Sequence, residues 1–164
     1  MSKPTKSRYS SADAGAVGGF RKVLRIAFLF LIAAAPNVAF LALAGDADRR
    51  ERIVAVIRSQ LDAIGHDDAD AAFSHAAPEI RKQFGSAADF MKMVMGGYSL
   101  LHRPRSVTFL ELIDLAAQGG LIQRVLVTGS DGQEAVALYS MRRMDDGTWR
   151  ISGCVLVPVP GNAT

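Results

Sequence analysis

Apolar residues recur at helical spacing in the part of the chain that follows Gly45. They stand three or four positions apart, at Ile53, Ile57, Leu61 and Ile64. This period predicts an amphipathic helix. Asp46 or Asp48 is expected to cap its start, and Gly65 is expected to end it.

Three shorter helices are predicted next, each bounded by residues that favour helix ends. One covers 68–76, and the following one covers 78–84. Pro78 opens the latter at the first helical position, where a backbone N–H has no partner in any case. Ser86 is the N-cap residue of the last helix, which stops at Gly96.

The pattern then changes to the alternation that is typical of strands with one covered face. Short glycine-containing turns separate four predicted strands, at 106–115, 121–128, 134–144 and 148–157. In the last strand we expect one face to hold Trp149, Ile151, Val155 and Val157, and the other to hold Cys154. The predicted fold class is therefore α+β, with N-terminal helices packed on a curved four-stranded antiparallel meander.

An uncharged apolar segment, 26–44, precedes this domain and follows a basic stretch, 1–25. The segment ends in small residues, which predicts signal-peptide cleavage between Ala44 and Gly45. Its 19 residues are also about the length of a helix that spans a bilayer. A cleaved signal and a retained anchor are therefore both open.

Either alternative places the predicted domain, 46–158, and its tail, 159–164, outside the cytoplasm, because the basic flank stays on the cytoplasmic side. The domain is periplasmic after cleavage, or is held in the periplasm by an inner-membrane anchor. We expect contact with a membrane only through 26–44, and only if this segment is uncleaved.

Charge and cysteine content narrow the range of partners. The formal charge of +3 comes from the basic stretch, since residues from Gly45 onward include 13 basic and 15 acidic side chains. This balance argues against a nucleic-acid partner, which requires a basic face. Cys154 is the single cysteine, so an intramolecular disulfide is excluded. Its neighbours favour a small buried residue over a reactive thiol.

Several motifs in combination resemble a bacterial exported family, described as domain of unknown function 4864. They are IRSQLDAIGHDDADAAF at 57–73, Pro78-Glu79-Ile80, Gln83-Phe84-Gly85, 90–98, 103–107 and 147–154. That resemblance implies no established activity. More distantly, the order of elements is similar to the cone-like fold of nuclear transport factor and ketosteroid isomerase, which implies a pocket inside a curved sheet. It also implies a possible homodimer through the exposed face of the sheet. Three arginines would influence that face, and their charge could equally keep the domain monomeric: Arg142, Arg143 and Arg150.

The densest polar cluster is a poor candidate for a metal site. It consists of His66, Asp67, Asp68, Asp70 and His75. If a helix starts near Asp68, the two histidines lie two turns apart and do not converge. Asp67 and Asp68 are better explained as helix caps. We therefore expect no metal and no cofactor.

Two sets of residues near the start of the sheet are candidates for a site. An isomerase-like or hydratase-like enzyme would draw its acid and base from Tyr98, His102, Glu111 and Tyr139. A site for an anionic ligand would draw on Tyr98, His102, Arg103 and Arg105, because guanidinium groups bind carboxylates and phosphates. An apolar stripe could line a pocket or fill the core, at Phe90, Met91, Met93, Val94 and Met95.

The leading hypothesis is a non-enzymatic exported domain that binds a small ligand or an envelope protein. Its candidate ligand-binding residues are Tyr98, His102, Arg103, Arg105 and Tyr139. Few titratable groups converge in the sequence, which suits binding better than acid and base chemistry. The alternatives are an isomerase-like or hydratase-like enzyme and a membrane-anchored assembly subunit.

Overall fold

The computed structural model describes residues 36–115 and 120–159, with side chains from Gly45 onward. The chain divides into two units, Met1–Leu43 and Ala44–Thr164. The predicted basic stretch and the first ten residues of the predicted signal or anchor lie outside the described residues, as does most of the predicted tail. Within the described part of the chain, no helix is both long and apolar enough to cross a membrane.

The first described helix, α1, spans Pro36–Gly65. The prediction that Asp46 or Asp48 caps it is wrong, because the helix begins ten residues earlier. The segment after Pro36 is rich in alanine and leucine, which favour helix, and a proline is tolerated in a first turn. Asp46 and Asp48 lie inside the helix and pair with arginines one turn later, Arg49 and Arg52.

Three short helices follow, and their prediction is confirmed. They are α2 at Ala69–Ser74, α3 at Pro78–Phe84 and α4 at Ala87–Gly97, with a single 3₁₀ turn at Ser99–Leu101. Asp68 caps α2 by accepting a hydrogen bond from the Ala71 N–H at 2.9 Å. Ser86 caps α4 through the Asp89 N–H at 3.1 Å. These local signals are therefore sufficient to set the helix starts.

Four antiparallel strands form one open sheet in the order of the chain, as predicted. They are β1 at Ser106–Leu115, β2 at Gly120–Thr128, β3 at Glu134–Arg143 and β4 at Trp149–Pro158. One face of the sheet packs on α1, where Ile53 and Ile57 meet Val125, Val127 and Tyr139 in the main core. The similarity of this sheet to the cone-like fold stays a prediction.

A β-bulge in β4 overturns the predicted arrangement of its two faces. Ser140 pairs with Gly153 and the next residue, Met141, pairs with Ile151, so Ser152 is an extra residue in the strand. The inward face therefore changes from odd to even positions after the bulge, and Cys154 faces the core while Val155 is 57% exposed. The predicted grouping of Ile151 with Val155 and Val157 is wrong for this reason.

Candidate functional site

An apolar cavity of about 470 Å³ lies between the helices and the second half of the sheet. Its wall includes Gln60 of α1, Ile80 of α3, Phe90 and Val94 of α4, and Tyr139 and Cys154 of the sheet. Gln83 is exposed, and Ile80 and Met93 are half-buried, so this side is the entrance. The predicted apolar stripe is divided, since Phe90, Met93 and Val94 line the cavity, whereas Met95 is exposed.

Aromatic packing holds the helical side of the cavity in place. The Phe90 ring lies 5.4 Å from the Phe73 ring and 5.8 Å from the Phe84 ring, measured between centroids. The second contact is edge-to-face, which is the favourable orientation for two aromatic rings. Phe84 and Phe90 both line the cavity, so α3 and α4 form its wall as one packed unit.

Tyr139 is the most deeply buried polar residue of the wall. It is 0% exposed, and its hydroxyl has no hydrogen-bond partner among the described residues. Burial raises its pKa well above 10, and the Cys154 thiol lies close enough to raise the pKa further without the geometry of a hydrogen bond. Burial also raises the pKa of the Cys154 thiol, to about 12. Both groups are therefore neutral at physiological pH.

Two other polar side chains of the wall have partners within the protein. The Tyr98 hydroxyl donates to the backbone oxygen of Cys154 at 3.0 Å. The amide nitrogen of Gln60, which is buried, donates to the backbone oxygen of Ala72 at 3.2 Å. Among the described residues that line the cavity, none has a charged side chain. The cavity is thus apolar and uncharged, with one unpartnered hydroxyl in its wall.

The predicted basic residues do not line this cavity. Asp67, whose φ is +59°, places its carboxylate 2.8 Å from the Nε2 of His102 and 2.7 Å from the Nη2 of Arg103. Arg103 also donates through Nε to the backbone oxygen of Gly65 at 2.9 Å. The predicted capping role of Asp67 is wrong, because its side chain joins this cluster while Asp68 caps α2. Arg105 is exposed.

The predicted site residues therefore fall into separate groups. Tyr98 and Tyr139 lie together at the apolar cavity, and His102 lines a smaller polar cavity of about 290 Å³. Glu111 is on the surface, where it pairs with Arg124 across β1 and β2. The sequence analysis missed Cys154 as a wall residue because it places that side chain on the opposite face of β4.

The densest polar cluster, whose spacing makes it a poor candidate for a metal site, does not converge. His66 is exposed, and His75 is half-buried at the other end of α2, where its backbone oxygen accepts a hydrogen bond from the Ile151 N–H. Within the residues that the structure describes, no three His, Cys, Asp or Glu side chains are placed to hold a metal ion.

Comparison with protein families and with curated proteins gives the following result. No curated protein matches the chain. Residues 46–164 match the family described as "Domain of unknown function (DUF4864)", which agrees with the resemblance of the motifs. Since this match covers more than half of the sequence, the chain belongs to the DUF4864 family.

Proposed function

We propose that the domain binds a small, largely apolar ligand in the apolar cavity. The observation that supports this is the cavity itself, whose volume of about 470 Å³ lies within the usual range of ligand sites. Protein interiors are normally packed without voids larger than a water molecule. An open apolar space of this size between packed elements therefore favours an occupant.

A binding role accounts for the polar groups better than an enzymatic role does. Two of the four predicted catalytic candidates, Tyr98 and Tyr139, lie at the same cavity, which keeps an isomerase-like enzyme as an alternative. Acid and base catalysis, however, needs a group whose pKa lies near the working pH. Among the described wall residues, the phenol of Tyr139 and the thiol of Cys154 have raised pKa values, and no carboxylate or imidazole accompanies them.

The N-terminal residues 1–44 support a location for this binding outside the cytoplasm. A basic stretch followed by the apolar segment 26–44 is typical of an exported chain. We place the domain in the periplasm on that basis. Intact mass of the protein in the periplasmic and membrane fractions tests this proposal: a mature species that begins at Gly45 supports a free periplasmic domain. A full-length species in the membrane supports the anchored assembly subunit, and a cytoplasmic species contradicts export.

Binding is tested by titrating the full-length protein with 1-ethylnaphthalene, a neutral apolar probe, and following methionine methyl signals by NMR. Met93 lines the cavity and its signal should shift, while Met144 lies at the β3–β4 turn and should not respond. The variant Ala76→Leu, which adds volume to a buried wall residue, should lose binding. Ala88→Leu, on the exposed side of α4, is the matched control. An unmoved Met93 signal, or full binding by folded Ala76→Leu, would contradict the proposal.

A further inference from the structure

The unpartnered hydroxyl of Tyr139 gives the apolar cavity a chemical preference. We propose that the cavity selects neutral ligands with one hydrogen-bond acceptor, such as a ketone or aldehyde carbonyl, and that this acceptor binds the Tyr139 O–H. The inference rests on the proposed function and specifies its ligand class.

Hydrogen-bond donors of the wall indicate an acceptor on the ligand. The Tyr139 hydroxyl has one hydrogen to donate and no partner, and the Cys154 thiol beside it is a second, weaker donor. A buried hydroxyl without a partner is unfavourable, and an acceptor on the ligand relieves this penalty only when the ligand is bound.

Charged ligands are disfavoured by the same wall. None of its described residues is charged. A carboxylate or an ammonium group that enters the cavity would lose its water without gaining an opposite charge. The high pKa values of Tyr139 and Cys154 also keep both groups from serving as anions that could hold a cation. Neutral carbonyl compounds therefore match the interior of the cavity better than compounds whose charged group must enter it.

The experiment compares 1-acetylnaphthalene with 1-ethylnaphthalene, which have nearly the same shape but carry a carbonyl and a methylene at the same position. Their dissociation constants are measured for the full-length wild-type protein and for Tyr139→Phe. Loss of the hydroxyl should shift the ratio of the two constants by about tenfold against the ketone, because a hydrogen bond in the complex is lost. Binding of 1-naphthoate to the wild type should be at least about tenfold weaker than binding of 1-acetylnaphthalene.

Tyr98→Phe is the matched control, because it removes a hydroxyl from the same cavity. That hydroxyl is engaged with the Cys154 oxygen, so the ratio of the two constants should stay near its wild-type value. A measurement on the wild type alone keeps the test independent of variant folding. The carbonyl carbon of bound ¹³C-labelled 1-acetylnaphthalene should shift downfield, as expected for a carbonyl that accepts a hydrogen bond.

Each outcome separates this inference from the proposed function. If neither naphthalene binds, the proposed function fails and the inference fails with it. If both bind and the ratio is the same in wild type and Tyr139→Phe, the binding function stands and the inference is wrong. Equal binding of 1-naphthoate and 1-acetylnaphthalene would contradict the preference for neutral ligands.

Discussion

Removing the hydroxyl of Tyr139 and removing that of Tyr98 should change the stability of the fold in opposite directions. Both side chains line the apolar cavity, and both are replaced by phenylalanine, so the lost atom is the same. The hydroxyl of Tyr98 donates to the Cys154 oxygen at 3.0 Å, whereas that of Tyr139 is buried and has no partner within the described part of the chain. The comparison therefore isolates the effect of hydrogen bonding.

The expected changes in the free energy of unfolding follow from the hydrogen bonds that each hydroxyl loses to water and gains within the protein on folding. Tyr98→Phe loses one hydrogen bond and should lower the free energy of unfolding by about 1 kcal/mol. Tyr139→Phe removes a hydroxyl that loses water on folding and gains no partner, so it should raise the free energy of unfolding by about 1 kcal/mol. The two variants should thus differ by about 2 kcal/mol, or about 1 M in the urea midpoint at an ordinary denaturant slope.

Urea unfolding without ligand, followed by tryptophan fluorescence, is a suitable assay. Trp149 is the single tryptophan of the chain and packs against the main core, so its emission reports on that core. Equal slopes in the two variants would show that only the stability changed. If Tyr139→Phe is destabilised as much as Tyr98→Phe, the Tyr139 hydroxyl has a partner in the free protein, and the reasoning on ligand preference fails.

Three further predictions concern other parts of the domain. The pKa of His75 is lowered by burial and by the charge of Arg150, so the unfolded chain binds the proton more readily than the folded one does. The contribution of His75 to stability should therefore be constant above about pH 6.5 and fall as the pH decreases below it. His75→Gln should remove this decrease, as measured by acid denaturation curves. Asp67→Asn should lower the free energy of unfolding, measured in urea, by about 0.5–1 kcal/mol, because it weakens the exposed contacts with Arg103 and His102. Asparagine tolerates the positive φ at this position, so the backbone should not be strained. An unchanged urea midpoint would show that the cluster contributes nothing to stability. Cys154 should react slowly with a thiol reagent at pH 8, since burial raises the pKa of its thiol to about 12 and leaves little thiolate. Modification as fast as that of an ordinary exposed thiol would contradict this raised pKa.

Local signals in the sequence predict much of the fold. The caps Asp68 and Ser86 each act on a backbone N–H three residues away, so no distant part of the chain is needed to place the starts of α2 and α4. The meander follows in the same way from alternation and from short turns between the strands. The start of α1 at Pro36 does not follow from local signals, because the residues before Gly45 are also typical of a signal peptide or a membrane anchor.

The candidate site depends on pairings between distant residues, which a single sequence does not display. Asp67 meets His102 and Arg103 across more than thirty positions, and its capping prediction fails for that reason. The two tyrosines were predicted as site residues, but nothing local indicates that one hydroxyl has a partner and the other has none. Gly153 is the only local sign of the bulge, since glycine inside a strand often marks one.

The bulge in β4 determines the chemistry of the cavity. In a regular strand the pairing of Met141 with Ile151 would continue to Tyr139 and Gly153, and no side chain would lie opposite Tyr139. The extra residue, Ser152, whose hydroxyl donates to the Ser140 oxygen at 3.2 Å, brings Cys154 opposite Tyr139 instead. It also places the Cys154 oxygen where the hydroxyl of Tyr98 donates a hydrogen bond to it. A single local irregularity thus accounts for the thiol in the wall, for the hydrogen bond of Tyr98 and for the contrast with the unpartnered hydroxyl on which the proposed ligand preference rests.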